Sequence, residues 1–241
     1  MTRHLTSDIF RTILKKKKQL QSRVRPFPIT LIHRFEAVVN LTRIMATITI
    51  RSAVLEDLPQ VRDIMLHYVR HSCLTFLRNP PSQVMLNAKF HEITNARGLP
   101  YLVAIEKKAE GAKETVVGHT YLSPFRGHML SYGPTVELSL FVHPDYQSRA
   151  IGSQLLAAVI ESAKAPGVVH RARETIVGDD GEERTLCEGD GRGIRIRNIL
   201  AVMAVDTDGK DDGEALRRWY IKRGFIERGR MDKIGFKMGR W

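Results

Sequence analysis

The sequence predicts an α/β fold of the α+β kind, a mixed central sheet flanked by helices. Three observations predict it. A strand, a small-residue loop and a helix follow one another without a break over Val136–Leu156 (VELSLFVHPDYQSRAIGSQLL). Short β-branched runs and segments of helical period occur in turn along the chain from Thr47. A chain of 241 residues with 43% hydrophobic and 27% charged residues is large enough, and ordinary enough, to bury a substantial core.

Taken in order, Thr47–Arg51 (TITIR) alternates and reads as a first strand. Leu58, Val61, Ile64, Met65, Tyr68 and Val69 then form one helical stripe, with Glu56, Asp57 and Pro59 at its start. Thr75–Pro81 is a loop, because Asn79-Pro80-Pro81 cannot continue a helix. Ser82–Asn95 reads as a second helix. Leu99–Glu106 and Thr115–Leu122 read as strands joined by a charged turn containing Gly111. With the apolar run Val136–Val142 they make a meander, and Ile151–Lys164 returns over it, with Ile151, Leu155, Leu156, Val159 and Ile160 on one face. Residues 165–198 are polar and Gly-rich (GDDGEER, EGDGRGIRIR) and read as a solvated insertion or loose hairpin. Ile199–Val205 (ILAVMAV) reads as a central strand, Ala215–Tyr220 as a short helix stopped at Gly224, and Phe225–Arg230 as another strand.

Charge is uneven. Residues 1–44 hold ten Lys/Arg against Asp8 and Glu36, which is +8 of the chain's +12. A nucleic-acid reading would rest on this arm, which lacks interleaved aromatics or a recognition module, so no nucleic-acid partner is expected. Residues 1–45 read as a basic extension, either a disordered arm, an upstream start before Met45, or an Arg-rich presequence. A cytoplasmic protein is expected, or a mitochondrial one if the arm is a presequence. No apolar run approaches the roughly 18 residues of a membrane span. Cys73 and Cys187 match no zinc or CxxC spacing. His67 and His71, one turn apart with Asp63 a turn earlier, lack the Glu of HExxH and read as a polar helix face, so no metal is expected.

The loop between Val142 and the following helix has the character of an anion site. The first turn of a helix carries unpaired N–H groups and the positive end of the macrodipole, and small residues let a ligand reach them. Neither a P-loop ending nor GxGxxG is present. What stands is Gln147-Ser148-Arg149-Ala150-Ile151-Gly152-Ser153, which resembles the Gln/Arg-x-x-Gly-x-Gly/Ala pyrophosphate loop of GNAT-superfamily acyltransferases. Ala150 stands where that family usually has its first Gly. The resemblance extends, in the phosphinothricin and L-amino-acid N-acetyltransferase branch, to Thr135–Pro144, Gly118–Arg126 (GHTYLSPFR), Thr75–Ser82 (TFLRNPPS) and Gly235–Trp241 (GFKMGRW). It covers the chain from about Thr47 onward, interrupted once.

The resemblance implies a GNAT domain over residues 46–241, with the insertion at about 165–198 and with the family's last C-terminal strand missing. An open edge there would leave a place for a second subunit in a homodimer. It also implies acetyl-CoA as co-substrate, a small-molecule amine as acceptor, and direct transfer in a ternary complex. Gln147 to Ser153 would hold the pyrophosphate, and backbone groups of Phe141 and Val142 the pantetheine arm where the strands splay. Glu137, a carboxylate in an otherwise apolar strand, is the expected base, since burial would raise its pKa; an ion pair with Arg126 is the competing reading. Tyr220 is the expected acid, and plain aromatic packing its competitor. Thr75, Phe76, Arg126 and Tyr132 are expected on the acceptor side, with Arg126 suited to a carboxylate. Gly213 stands where relatives often carry an Asn that contacts the cofactor. Ser139 and Ser153 lack a His–acid pair and read as packing or pyrophosphate residues. A same-fold protein or peptide N-acetyltransferase, and an inactive CoA-binding paralogue, are the alternatives.

Overall fold

The computed structural model describes residues 47–107, 113–127, 129–187 and 192–241. The basic extension expected over residues 1–45 and the turn at Gly111 lie outside them. Four strands form an antiparallel sheet: β1 (Thr47–Ser52), β2 (Tyr101–Lys107), β3 (Thr115–Pro124) and β4 (Thr135–Val142), with β7 (Asn198–Leu200) added parallel to β4. Helices α1 (Leu58–His71) and α2 (Gln83–His91) follow β1, and α3 (Ile151–Lys164) follows β4. Strands β5 (Arg173–Val177) and β6 (Glu183–Cys187) pair as a separate hairpin within the polar stretch, and α4 (Glu214–Ile221) follows β7.

Local chemistry accounts for most of these limits. Asp57 and Pro59 open α1, and all six residues of its apolar stripe are buried. Ser82 caps α2, its hydroxyl accepting from Met85 N at 3.2 Å. The helix does not run on as one α-helix to Asn95; Glu92–Ala96 widens into a π-turn. There the buried Arg97 pairs with Glu92 at 2.7 Å and donates to the carbonyls of Gly127 and Arg173. On α3, Ile151, Leu155, Leu156 and Val159 are buried as the period requires, while Ile160 is half-buried.

Two expected strands are corrected. The run Ile199–Val205 is not a central strand: only Asn198–Leu200 pair, along one edge of β4, and Val202 is 70% exposed. Phe225–Arg230 forms no ladder, and Ile226 is exposed. Hydrophobicity alone marked both; among the described residues the first run has no strand neighbour beyond Leu200 and the second has none, so their hydrogen bonds are not completed by a ladder.

The turn at Gly235–Trp241 docks on the end of α1. Lys237 is buried, and its ammonium donates to the carbonyls of Ser72 (2.8 Å) and Thr75 (2.7 Å). Helix C-terminal carbonyls favour a cation there. Gly235 makes room for the ring of Phe76, which would lie only 2.5 Å from a Cβ at that position. Arg240 adds pairs to Asp206 (3.1 Å) and Asp208.

Candidate active site

The sheet opens at Glu137. The β4–β7 ladder joins Thr135 to Asn198, Val136 to Ile199 and Glu137 to Leu200, and then stops. Leu138–Val142 therefore have a strand neighbour on the β3 side only. A strand that loses its partner presents unpaired N–H and C=O groups that an extended ligand can meet. The opening is not wholly free: the carbonyl of Val142 accepts the hydroxyl of Tyr68 at 2.7 Å, which in turn accepts from Gln147 Nε2 at 3.1 Å. The Val142 carbonyl is thus engaged within the protein. Tyr68 lies on the buried stripe of α1 and its ring packs tilted against Phe141 (centroids 5.1 Å apart).

Beyond the opening is the loop. Ser148 (φ 64°) and Ala150 (φ 59°) are both left-handed, and Ala150 is the N-cap of α3 without a side-chain cap bond. The first backbone bond of the helix is Gln154 N to Ala150 O at 3.1 Å. Among the described residues, none of the N–H groups of residues 148–153 has an acceptor. Left-handed residues set between right-handed ones turn successive N–H groups into one concavity, which is an anion nest. Gly152 sits within it, where a Cβ would touch Trp219, Val142 and Leu140 at 3.6–3.7 Å, an ordinary contact. The glycine is thus not demanded by protein packing. Arg149 turns away, lying over the ring of Tyr146 (4.6 Å) and 3.9 Å from the buried Glu106, to which Tyr146 donates at 2.7 Å.

Arg223 supplies a cation that sequence reading missed. Its guanidinium lies 3.9 Å over the ring of Trp219 and donates to Ser153 Oγ at 2.5 Å. It therefore stands beside the positive end of α3, where a cation is unfavourable unless an anion lies between them. The i, i+4 spacing of Trp219 and Arg223 was the available signal.

Glu137 is only half-buried, and its carboxylate has no hydrogen bond or ion pair among the described residues. No pair with Arg126 forms, because Arg126 is exposed in a left-handed turn (φ 45°). Tyr220 packs edge-on against Trp219 (4.9 Å) and Phe225 (5.2 Å), and burial pushes its phenol up to about 12. Gly213 is left-handed (φ 83°), and a Cβ there would lie 2.6 Å from Asp206 O, so no Asn can occupy this position as the loop stands. The four acceptor-side candidates fall into separate groups. Thr75 and Phe76 meet the Gly235–Lys237 turn, whereas Tyr132 packs on Phe125 (5.1 Å). His67 and His71 have ring centroids 5.1 Å apart, and no group of three or more metal-ligating side chains gathers among the described residues.

The unpaired edge of β4 leads into this anion nest. The profile of the Acetyltransferase (GNAT) family matches residues 66–184. The chain carries an acetyltransferase domain of the GNAT family. The domain is similar to the phosphinothricin N-acetyltransferase of Alcaligenes faecalis, 28% identical over 193 residues, 80% of this chain and 77% of that protein. It is also similar to the L-methionine sulfoximine/L-methionine sulfone acetyltransferase of Pseudomonas aeruginosa, 27% identical over 197 residues, 80% of this chain and 88% of the relative. Among solved structures, a GNAT-superfamily phosphinothricin acetyltransferase from Sinorhizobium meliloti, crystallised with AcCoA, is 26% identical with a TM-score of 0.60, over 81% of this chain and 83% of that one. The chain is thus an acyltransferase related to phosphinothricin N-acetyltransferases.

Proposed function

We propose that this acetyltransferase moves the acetyl group of acetyl-CoA to the amine of a small amino acid or a close analogue, phosphinothricin-like, by direct attack within a ternary complex. The observation that carries the reading is the fork at Glu137, with a base candidate at one end of the unpaired edge and the anion nest at the other. The relatives named for phosphinothricin and methionine sulfone acetylation, and the neighbour crystallised with AcCoA, support the substrate classes.

The residues fit acetyl-CoA. Six N–H groups without acceptors, Ser153 and Arg223 suit a pyrophosphate, with charge supplied on one side only. The unpaired edge of β4 suits an extended amide-bearing arm. Bound acetyl-CoA supplies the activated acyl group. Glu137, free of partners, takes the proton that the acceptor ammonium must lose, directly or through water. Tyr220 keeps its proton throughout the working range. With a phenol near 12 and an ordinary thiol near 8.5, full proton transfer to the sulfur is uphill by about 5 kcal/mol. Its role is therefore a hydrogen bond that steadies the departing thiolate.

The test is thiol release from acetyl-CoA against a panel of amino acids and phosphinothricin. Glu137→Gln should lower kcat about 100-fold or more, leaving acetyl-CoA affinity unchanged, and Tyr220→Phe should lower it less. A Glu137→Gln enzyme with the parent's rate and pH profile removes Glu137 from the reaction. Absence of thiol release with every amine favours the inactive CoA-binding alternative.

A further inference from the structure

The face of the sheet that carries Glu137 holds a second charged group. Tyr121 pairs with Ser139, and Ser123 with Glu137, so all four share one face. Direct partners stand with Cβ atoms about 5 Å apart, and the diagonal Tyr121–Glu137 pair roughly 7 Å. Helices α1 and α2 cover this face at Tyr101 and Phe141, through Phe90 (5.4 Å) and Tyr68 (5.1 Å). Past Tyr121 the cover thins: Ser123, Glu137 and Ser139 are half-buried, and their side chains have no hydrogen-bond partner among the described residues.

Lys89 of α2 reaches over this opening. Its Nζ donates to Tyr121 Oη at 2.8 Å and lies 4.7 Å from the ring centroid. Among the described residues it has no carboxylate partner. The floor beneath is uncharged. Tyr101, Tyr121 and His119 stack (4.8 Å between the tyrosine rings, 6.2 Å from Tyr121 to His119), and His119 is fully buried with neither nitrogen bonded. An ammonium over a neutral aromatic floor, on the same sheet face as a carboxylate and two serines without side-chain partners among the described residues, is arranged for a ligand with charges of both signs.

We infer that Lys89 binds the carboxylate of the acceptor and so selects amines that carry a carboxylate close by, with the amine facing Glu137. The inference deepens the acetyl-transfer reading and rests on it. Tyr121 accepts from Lys89, which leaves its own O–H to donate to the second carboxylate oxygen. Ser139 offers one more donor. Arg126, the cation suggested by the sequence, is exposed in its turn and has no hydrogen bond or ion pair with this group among the described residues. The same ammonium repels acceptors with an additional cationic group, such as polyamines and basic peptides.

The probes are L-methionine sulfone and its carboxamide, identical apart from the carboxylate. Binding to the full chain with CoA present is measured by calorimetry, alongside thiol release from acetyl-CoA. The parent should prefer the acid by about tenfold or more. Lys89→Met should abolish that preference without changing the KM for acetyl-CoA. Lys89→Arg should keep it within about threefold, and Lys89→Glu should reverse it. A parent without the preference, or a Lys89→Met enzyme that retains it, overturns the inference. Failure of the underlying reading is visible separately, as no thiol release with any amine. The calorimetric comparison still decides the role of Lys89 in that case.

Discussion

His119→Phe isolates one titration in the centre of the fold. The imidazole is fully buried between Tyr101, Tyr121 and Phe141, and both nitrogens lack partners. Burial, with the nearby charge of Lys89, lowers its pKa from 6.5 to about 3. The folded state therefore holds a neutral ring wherever the unfolded chain, below pH 6.5, binds a proton. Stability from this site is fully present above pH 6.5 and is lost as pH falls toward 3. One pKa unit is about 1.4 kcal/mol, so lowering the pH from 7.5 to 5 costs about 2 kcal/mol from this residue alone. Phenylalanine keeps the stack and removes both the titration and the unsatisfied nitrogens, a gain on the order of 1 kcal/mol at pH 7.5. The assay is urea unfolding followed by tryptophan fluorescence at both pH values. The stability difference between variant and parent should widen by about 2 kcal/mol at pH 5, or roughly 4–8 °C in Tm for a chain of this size. Using the difference cancels every other titrating group. Parallel pH profiles would refute a neutral, solvent-free His119.

Two further substitutions probe the anion nest. Ala150→Gly removes a Cβ from a left-handed N-cap and should leave stability unchanged or raise it by up to about 1 kcal/mol, glycine's chain entropy offsetting part of the relief, with acetyl-CoA bound as tightly or more so. A loss above 1 kcal/mol in chemical denaturation would mean that the methyl group packs. Arg223→Met should weaken acetyl-CoA binding about tenfold and make it less sensitive to salt, measured as Kd at two ionic strengths, because one charge-assisted bond is lost. Equal affinity at both would remove Arg223 from the phosphate site.

The parts of the site legible in the sequence are those whose signal is local. Residues 147–153 announce a strand-to-helix turn through small residues and the helical period that follows, and Ala150 in that turn is left-handed. The run Ile199–Val205 misled because a strand is defined by its neighbour, and the ladder is released after three pairs. Tyr68 was legible as a core residue of α1. That its hydroxyl closes on Val142, 74 residues away, depends on how the helix is laid over the sheet. Lys89 carried no pattern at all: a lysine on a helix is ordinarily a solvated charge, and only its reach to Tyr121 distinguishes it.

The docking of Gly235–Lys237 on Ser72–Phe76 bears on how such a protein changes over generations. The loop that the sequence places beside the acceptor holds its shape by means of a lysine and a glycine about 160 residues further along. The two stretches are one unit of inheritance despite their distance in the gene. A crossover between related sequences anywhere in the interval leaves the sheet and its helices in place yet mismatches the loop with its fastening. If residues 72–76 border the acceptor, substitutions at residues 235–240 shift acceptor preference, whereas the loop at 147–153, built from neighbouring residues, travels whole.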